Sequence, residues 1–533
     1  MPAPLHILPS PPQDEEALPS SAPTQDDLIR QVRAETEGLL GFAMAETDPG
    51  SNETFKEFER ALLPRIFALA RLLIALFLCV REQRECGGLP ERPVVGGRRF
   101  QRRPPQPRNL HTYFGAVRYW RTYLRGPVVQ GIRKGFHPLD AALGLTADGL
   151  SFQLLSLAAR LATKLSFAQV QLTLTWFLLR APSTEVIEQT VLGLGRRTAE
   201  WVEHAPAKEG DGEVLIVQFD SKGAPTATNT ELSRRRGKRK NRPARCRRHR
   251  GRDHRGRHPK KPRRKKGDKS KNARMATLVV MYTLRRGDDG KLHGPINVWR
   301  YASFAPKRHA FEIARREADK RGFKRGSGKL VQVLTDGDDD LAVYVKQHFP
   351  EAIHTLDVIH VSEKLWAAGE CLYPEGSEEL STWVDQQKQR LYDNDVEAIL
   401  EHLRKRLSAI PPTGPGNKGR RERLEKVIGY MDKRRAQMNY RDRLKQDLEI
   451  ATGMVEGAVK YVIGNRFDHG GMRWIRERAE ALLQLRCIEL NGDWDRFVDW
   501  VHDDMRAVAL AQGTRLRLQQ RTPSALPTLA EAA

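Results

Sequence analysis

The stretch VLIVQFD, residues 214–220, decides the fold, because an apolar and largely β-branched run here ends in a carboxylate. Such a run predicts a buried strand that delivers Asp220 at its exposed carboxyl end, where α/β sheets hold their ligands. The run LVQVLT at 330–335 leads in the same way to Asp336, and Glu456 lies within a helical stretch, TGMVEG. Three carboxylates in this order can bind a pair of Mg²⁺ (or Mn²⁺) ions, the cations that promote phosphodiester cleavage and transfer.

Strand and helix patterns alternate around the first two acids. Three predicted strands follow one another as hairpins would, and the fourth comes after a helix. This order predicts an α/β (α+β) fold with a ribonuclease-H-like mixed sheet. A charged helical insertion then separates Glu456 from the first two acids. The predicted strands are 214–219, 276–284, 296–304, 330–335 and 353–356, and the predicted helices are 307–321 and 339–348.

The net charge of +25 is concentrated in one segment. Residues 234–274 hold 23 Lys and Arg against two acids, which is a local charge of +21. A segment of this kind is typical of a protein with a polyanion partner, and nucleic acid is the first candidate. The alternative, a localisation signal or a solubilising tail, fits a chain terminus better than the interruption of a sheet.

Cysteine spacing and hydropathy argue against two other classes of protein. The five cysteines form no C-x-x-C pair, so neither a zinc ribbon nor a disulfide framework is expected, and a reducing cytosol is indicated. Acids precede any apolar stretch near the N-terminus, which argues against a secretory signal. In the most apolar window, 61–80, the longest uninterrupted run is 72–80. That run is too short to span a bilayer, and we expect a buried or oligomerising helix.

Composition shifts divide the chain into seven segments. The N-terminal end is rich in Pro, Ser and acids, which predicts disorder, and a Gly/Pro/Arg-rich linker follows the first helical region. The expected segments are a disordered end (1–25), an N-terminal helical region with its linker (26–108, the linker at 87–108), a hairpin plus a helical DNA-binding region (109–205), the first part of the ribonuclease-H-like core (206–357) with its basic insertion (234–274), the helical insertion (358–450), the closing helices of the core (451–512) and a disordered tail (513–533).

The segment before the core predicts a hairpin and three short helices. Aromatic residues alternate around one glycine in 110–124, as in a small hairpin. Ser151, Ser166 and Ser183 are at the starts of the helices, and Ser183 has Val186 rather than Glu at the third following position. An ordinary N-cap is therefore expected there, not a capping box. Short helices of this kind resemble a helix-turn-helix module that could read DNA ends, although three-helix packing is also common without DNA binding.

The second acid has a neighbour that could take its role. Asp336 ends the predicted strand, whereas Asp338 and Asp339 fit the N-cap and first turn of the following helix. We assign the second carboxylate to Asp336, and Asp338 is the alternative. A single Asp after a strand is more often a turn or helix cap than a catalytic group, so the assignment depends on three acids occurring in order.

Asp357 ends another predicted strand, and His360 follows it by one helical turn. His360 could contact phosphate or the scissile strand, or the two residues could form a structural Asp–His pair that supports the site, which is the interpretation we favour. Asp468 and His469 could suggest a metal site. Because no Cys or second His lies at ligand spacing, that interpretation is weak.

The stretch after Glu456 is dense in groups that bind nucleic acid. Lys460 shares a helical face with Glu456, and Arg466 is a candidate bidentate phosphate ligand. A Gly–Gly pair then forms a flexible break that would let Arg473 contact a backbone and Trp474 stack on a base. The alternative is that Trp474 anchors the next helix in the core. Further predicted DNA contacts are Lys222, Arg234, Arg235, Arg236, Lys238, Arg239 and His360.

Five short motifs carry a resemblance to a known family. They are QFDSKG (218–223), LTDG (334–337), DVIH (357–360), GMVEG (453–457) and GMRW (471–474). Together they resemble the DDE transposases of bacterial insertion sequences, most closely the Kra-four family, which is related to the mutator-like group. Many members carry a cysteine-rich knuckle near the aromatic hairpin, and this chain has no cysteine there.

The resemblance, which spans about residues 110–500, implies that Asp220, Asp336 and Glu456 are catalytic and bind two metal ions. It implies a DNA transposase that binds terminal inverted repeats, cleaves DNA strands and joins 3′-hydroxyls to target DNA. Such a protein would act on double-stranded DNA as a homodimer or higher oligomer, in the bacterial cytoplasm near the nucleoid and without a membrane partner. The alternatives are a structure-selective nuclease on the same fold and a non-catalytic nucleic-acid-binding protein.

Overall fold

The computed structural model describes most of the chain as two units of a mixed α/β protein. Among the described residues, the first unit comprises those up to Trp201 together with 492–513, and the second comprises those from Val202 to Asn491. The predictions of disorder near both chain ends and nearly all of the basic insertion fall outside the described residues. The described residues are 22–45, 54–129, 132–147, 149–178, 181–227, 273–468 and 472–513.

Two long helices begin the first unit, α1 (Gln25–Ala45) and α2 (Phe55–Cys86). Thr54 and Glu57 form a capping box that fixes the start of α2, and Pro64 lies inside the helix without ending it. By length and composition alone α2 could cross a membrane, with a mean hydropathy of 2.2 over its most apolar window, of which only 6% is buried. The prediction that the apolar stretch is too short to span a bilayer is therefore wrong, because neither the proline nor the arginines interrupt the helix. Of the two alternatives for this region, a buried helix does not fit its exposure, and an oligomerising helix stays a prediction.

The predicted hairpin is present and is longer than expected. Its two strands, β3 and β4, form a three-stranded antiparallel sheet with β5. The predicted linker 87–108 is partly wrong, because its second half belongs to β3. The ladder shifts register between Arg103 and Gln106, where two prolines lack the N–H that a regular ladder needs. The strands of this unit are β1 (Val94–Val95), β2 (Arg98–Arg99), β3 (Gln101–Thr112), β4 (Gly115–Val129) and β5 (Ile132–Phe136).

Five short helices follow the sheet, and serine caps begin three of them as predicted. Ser151 and Ser183 are ordinary N-caps, and Ser166 forms a capping box with Gln169. The final helix, Trp494–Gln512, also belongs to this unit, since Trp494 Nε1 donates to Ser156 Oγ at 3.0 Å. The sequence analysis grouped that helix with the core instead. The five helices are α3 (Pro138–Leu143), α4 (Phe152–Ala162), α5 (Phe167–Phe177), α6 (Thr184–Gly195) and α7 (Thr198–His204).

A five-stranded mixed sheet forms the centre of the second unit. Its strand order is β10-β9-β6-β7-β8, in which β6, β7 and β8 are antiparallel neighbours and β9 and β10 run parallel to β6. All five predicted strands are confirmed, and the last two have the predicted bounds. The strands are β6 (Val214–Pro225), β7 (Ala273–Arg286), β8 (Leu292–Ser303), β9 (Leu330–Thr335) and β10 (Ile353–Leu356).

Helices cover one face of this sheet. Leu215, Val217 and Phe219 alternate along β6 and pack into a core with α8 (Lys307–Lys320), where the ring of Phe219 stacks on Phe311 with 3.7 Å between centroids. Helix α9 (Asp339–His348) adds Leu341 and Val345 to the same core. The alternation follows from the strand period of two residues, and it leaves Gln218 on the other face.

The predicted helical insertion has its own core, which includes Trp383, Leu400 and Met431. After it, Gly453–Ala458 carries Glu456, and a π-helical turn at Val459–Gly464 widens the helix. The helices are α10 (Val358–Gly369), α11 (Glu378–Tyr392), α12 (Val396–Ala409), α13 (Asn417–Asp432), a 3₁₀ turn (Arg435–Gln437), α14 (Tyr440–Leu444), α15 (Gly453–Ala458), α16 (Asn465–Phe467) and α17 (Arg476–Leu490).

Candidate metal centre

Three aspartates lie at one edge of the large sheet, each on a different one of three adjacent parallel strands. The β6–β9 ladder ends with Gln218 opposite Leu334, so Asp220 and Asp336, two residues further on each strand, are neighbours. The β9–β10 ladder ends with Thr335 opposite Leu356, and Asp357 N donates to Thr335 O at 3.0 Å. Parallel strands therefore bring three carboxylates to the carboxyl edge, where α/β sheets hold their ligands.

Asp220 is not at the end of its strand, as the sequence predicted, but within it. Strand β6 continues to Pro225 because β7 remains paired with it as far as Ala273. Strand β9, on the other side, ends at Thr335. Asp220 thus lies where β6 loses one neighbour and keeps the other, which leaves it partly open on the side of Asp336.

Glu456 reaches the same edge because two buried glutamines hold its segment against the sheet. Gln332 on β9 exchanges two hydrogen bonds with the backbone of Glu449, at 2.6 and 3.1 Å. Gln218 on β6 accepts a hydrogen bond from Val455 N at 3.0 Å. Both glutamine side chains are fully buried, so these amides are satisfied by the backbone that carries Glu456.

Asp357 is the most firmly held carboxylate of the edge. It is fully buried, begins α10 as its N-cap, and accepts hydrogen bonds from Ile359 N at 3.0 Å and from Thr452 Oγ1 at 2.5 Å. His360 Nδ1 lies 2.7 Å from Asp357 Oδ2, which confirms the predicted Asp–His pair. Thr452 Oγ1 also lies 3.4 Å from Glu456 Oε1, so it connects two of the acids.

Asp357, His360 and Glu456 together could hold a metal ion. One potential ligand atom from each of the three lies within 4.8 Å of the others. Sequence analysis assigned Glu456 to a metal but gave Asp357 and His360 a supporting role. The structure therefore adds Asp357 and His360 to the potential metal ligands, because β9 and β10 end side by side.

The carboxylates perturb one another. Burial raises the pKa of Asp220, and the negative charges of Asp336 and Asp357 raise it further. Burial likewise raises the pKa of Glu456, with Asp357 and Asp220 adding to the effect. The acids are therefore close enough to raise one another's pKa, as is typical of a metal centre.

His360 supplies a compensating positive charge. The hydrogen bond to Asp357 raises the pKa of His360 to about 9, against the opposing effect of burial. Burial alone would raise the pKa of Asp357, but the hydrogen bonds from His360 and Thr452 lower it. The imidazole is consequently protonated at neutral pH, and binding a metal through it would release a proton.

A pH titration of stability checks this pair. Because the folded pKa of His360 lies above the unfolded value of about 6.5, its stabilisation is complete below pH ~6.5 and is lost as the pH rises through ~9. We expect the free energy of unfolding, measured in a metal chelator, to fall by about 1–2 kcal/mol over that interval, after discounting for partial exposure. His360→Asn should remove this decrease, and His293→Asn, a change at an exposed histidine, should not.

The alternative second acid has a different function. Asp338 is the N-cap of α9, accepts a hydrogen bond from Asp340 N at 3.0 Å and forms an ion pair with Lys307 at 2.5 Å. Asp336, in contrast, lies beside Asp220, and its Oδ1 accepts a hydrogen bond from the nearby Asp338 N at 3.0 Å. The geometry therefore favours Asp336 as the acid of the cluster.

The helical segment 358–450, the predicted insertion, contacts the backbone at Asp336. Tyr430 of α13 donates a hydrogen bond to Asp336 O at 2.9 Å. Gly337 has φ +84°, and a Cβ there would collide with the Tyr430 hydroxyl and lie 2.8 Å from Leu356 Cδ1. The ring of Tyr430 is in turn covered by Arg434, whose guanidinium carbon is 4.3 Å from its centroid. The insertion thus fixes the turn that follows the second acid.

We expect Tyr430→Phe to weaken divalent-metal binding about three- to tenfold, because the loss of one hydrogen bond frees the Asp336 turn. Calorimetric titration of the full chain with Mn²⁺ measures the effect, and the thermal midpoint shows whether the fold is intact. Tyr392→Phe, which alters a partly exposed tyrosine of α11, is the matched control. Equal affinities in the wild-type protein and Tyr430→Phe would show that the contact does not position Asp336.

The predicted DNA contacts divide into exposed and buried groups. Lys460 and Arg473 are exposed, and Lys222 is half-buried, with its Cε 3.4 Å from where a Cβ at Gly464 would lie. His360 belongs to the acid cluster, so its contact with DNA remains a prediction. Outside the described residues lie Arg234, Arg235, Arg236, Lys238, Arg239 and the Gly–Gly pair at 470–471.

Arg466 does not present its guanidinium to solvent. It is 2% exposed, its guanidinium carbon is 4.7 Å from the ring centroid of Trp474, and burial lowers its pKa to about 10. Trp474 forms an isolated bridge with Thr226 and contacts Phe467 at 5.1 Å. In this conformation Arg466 cannot bind a phosphate directly. Trp474 is half-buried against Arg466 and Phe467, which favours the alternative that it anchors the next helix, and its stacking on a base remains a prediction. The contacts of the Arg466 guanidinium with the two aromatic rings offset part of the cost of removing it from water.

The sequence analysis missed four residues that position the acids, Gln218, Gln332, Thr452 and Tyr430. The two glutamines could have been recognised in the sequence, because each interrupts an apolar strand and a buried side-chain amide needs hydrogen-bond partners. No sequence signal connects Tyr430 with Asp336. When the chain is compared with models of protein families and with curated proteins, neither comparison finds a match.

Proposed function

We propose that this chain is a DNA transposase that cleaves and joins DNA strands with two Mg²⁺ ions. The observation that carries the proposal is the convergence of Asp220, Asp336, Asp357 and Glu456 at one edge of the sheet. Two-metal enzymes need a carboxylate shared by both ions and others that hold each ion singly. The resemblance to insertion-sequence transposases supports the same assignment of Asp220, Asp336 and Glu456.

The strand order supports a ribonuclease-H-like core. The antiparallel strands β6, β7 and β8 are extended on the β6 side by β9 and β10, which run parallel to β6. Asp220 lies in β6, and Asp336 and Asp357 directly follow β9 and β10. The helices between β10 and Glu456 are then an insertion in that core, at residues 358–450. In this interpretation the helices at 358–450, which have a hydrophobic core of their own, lie in the chain between β10 and the helix that carries Glu456.

The donor set fits hard divalent cations. Carboxylate oxygens are the ligands that Mg²⁺ and Mn²⁺ prefer, and the mutual repulsion at Asp220 and Glu456 would be relieved by positive charge. When bound, such ions polarise the attacking hydroxyl and stabilise the departing oxygen. Asp220, on the central strand of the five, would be the shared ligand. Thr452 and His360 would orient Asp357 through the hydrogen bonds described above.

The basic insertion would hold the DNA next to these acids. It connects β6 to β7, and the last pair of that ladder, Pro225 and Ala273, lies beyond Asp220 on the same strands. The 23 Lys and Arg of 234–274 would supply affinity that is independent of sequence. Such a protein would work on double-stranded DNA in the bacterial cytoplasm near the nucleoid, as a homodimer or higher oligomer.

Salt dependence tests this role. Each phosphate contact contributes about 0.9 to the slope of log affinity against log salt. We therefore expect joint replacement of Arg234, Arg235, Arg236, Lys238 and Arg239 by Ala to reduce the slope by up to about 4.5, as measured by fluorescence anisotropy with duplex DNA. An unchanged slope would remove the insertion from the binding surface.

The proposal itself is tested with DNA that carries the inverted repeats flanking the coding sequence. Full-length protein should cleave at the repeat ends with Mg²⁺ or Mn²⁺ and join pre-cleaved 3′-hydroxyl ends to a second duplex. Cleavage without joining would identify a structure-selective nuclease instead. DNA binding with neither reaction, and without metal binding, would identify a non-catalytic nucleic-acid-binding protein.

A further inference from the structure

One face of α2 packs against the β3–β4 hairpin of its own unit. Leu78 is buried with Leu110 and Val117 of the β3–β4 hairpin, and Ile74 and Ala75 pack against the same cluster. Polar groups on this side also hold the helix, since Thr122 N donates to Glu82 Oε1 at 2.7 Å and Arg71 Nη1 donates to Phe114 O at 3.1 Å. The C-terminal half of the helix is therefore bound to the sheet.

Another face of α2 carries an apolar stripe with a heptad period. Six residues follow one another at alternating spacings of three and four, which is the a/d pattern of a helix that packs against a second helix. The five larger side chains of the stripe are 40–51% exposed. The stripe consists of Leu63, Ile66, Ala70, Leu73, Phe77 and Val80.

We propose that this α2 stripe packs against the same stripe of a second copy of the chain. A twofold contact needs a self-complementary surface, and an identical heptad stripe supplies one. A stable contact buries roughly 800 Å² on each partner. Helix α2 is about 48 Å long at 1.5 Å per residue, and α1 beside it exposes Leu40 and Met44, so the helical hairpin has the length and apolar surface for such an area.

The contacts of α2 favour a protein partner over a bilayer. A membrane-spanning helix would have to leave the hairpin, which would break the hydrogen bonds of Arg71 and Glu82 and expose Leu78. Arg65, whose guanidinium carbon lies 4.2 Å from the ring centroid of Phe42 of α1, would also enter the hydrocarbon layer. A second copy covers the stripe and leaves these contacts intact. The inference does not depend on the proposed function.

Sedimentation velocity of the full chain without DNA tests the inference. We expect the wild-type protein to be a dimer and Leu73→Glu and Phe77→Glu to weaken dimerisation at least a hundredfold. Leu172→Glu, at a similarly exposed leucine of α5, should leave the dimer unchanged. Leu73→Ala, which removes apolar surface without adding charge, should weaken the dimer with an unchanged circular dichroism spectrum.

Crosslinking gives a second measurement at the same position. In a Cys79→Ser background, Leu73→Cys should form an intermolecular disulfide on mild oxidation, and Leu172→Cys should not. A wild-type monomer, or a dimer that survives Leu73→Glu, would overturn the proposal. So would a monomer that floats with phospholipid vesicles through the stripe, because the occupant would then be a lipid surface.

Discussion

Replacing Asp220 by Asn should reduce Mg²⁺-dependent strand cleavage by roughly a thousandfold or more, since removal of one member of a cooperating catalytic set typically costs this much. Asn keeps the size of the side chain and its hydrogen bond to Ser221 N but loses the charge that two cations would share. DNA affinity, which the basic insertion would supply, should change less than about twofold. The measurement is single-turnover cleavage of labelled repeat-end DNA.

A pair of neighbouring acids provides the control. Asp336→Asn should be as inactive as Asp220→Asn, whereas Asp338→Asn should retain most of the activity, because Asp338 caps α9 and pairs with Lys307. An active Asp336→Asn together with an inactive Asp338→Asn would reverse the assignment of the second acid.

Replacing Asp357 by Ala should lower the free energy of unfolding by about 2–4 kcal/mol and abolish metal binding. The change leaves the buried donor Thr452 Oγ1 and the capped Ile359 N without their acceptor and leaves His360 without its counter-charge. Chemical denaturation measures the first effect, and calorimetric titration with Mn²⁺ measures the second.

A variant at another N-cap aspartate distinguishes the loss of a helix cap from the loss of a group in the acid cluster. Asp395 caps α12 through Ala398 N at 3.3 Å and is exposed. Asp395→Ala should cost about 1 kcal/mol, typical of a lost cap, and leave metal affinity unchanged. If Asp357→Ala were equally mild, the Asp–His pair would be a cap and not part of a metal centre.

The sheet of the second unit was largely predictable because its signals are local. The β-branched runs at 330–335 and 353–356 have the bounds of β9 and β10, and the serine caps mark the starts of three helices. The length of β6 was not predictable from its own residues, since the pairing with β7 determines it. The prolines in 87–108 indicated a linker, but an antiparallel partner accommodates them with a register shift.

The candidate site was predictable in part. Order along the chain identified Asp220, Asp336 and Glu456 as one group, but the contribution of Asp357 and His360 depends on which strands are neighbours. The burial of Arg466 and the contact of Trp474 with β6 depend on packing of the segment after Glu456, which leaves no periodic signal in the sequence. Exposure of α2 was missed because hydropathy does not distinguish a buried helix from an apolar surface.

The hydrogen bonds of Gln218 and Gln332 determine which parts of this protein can vary in evolution without moving Glu456. Because these amides attach the Glu456 segment directly to β6 and β9, the location of Glu456 is set by the sheet and not by the length of chain that precedes it. The helical insertion is therefore free to grow, shrink or acquire new surfaces while the acid stays in register, provided that Tyr430 or an equivalent still supports the turn at Asp336. Sequence variation can therefore accumulate there without moving Glu456.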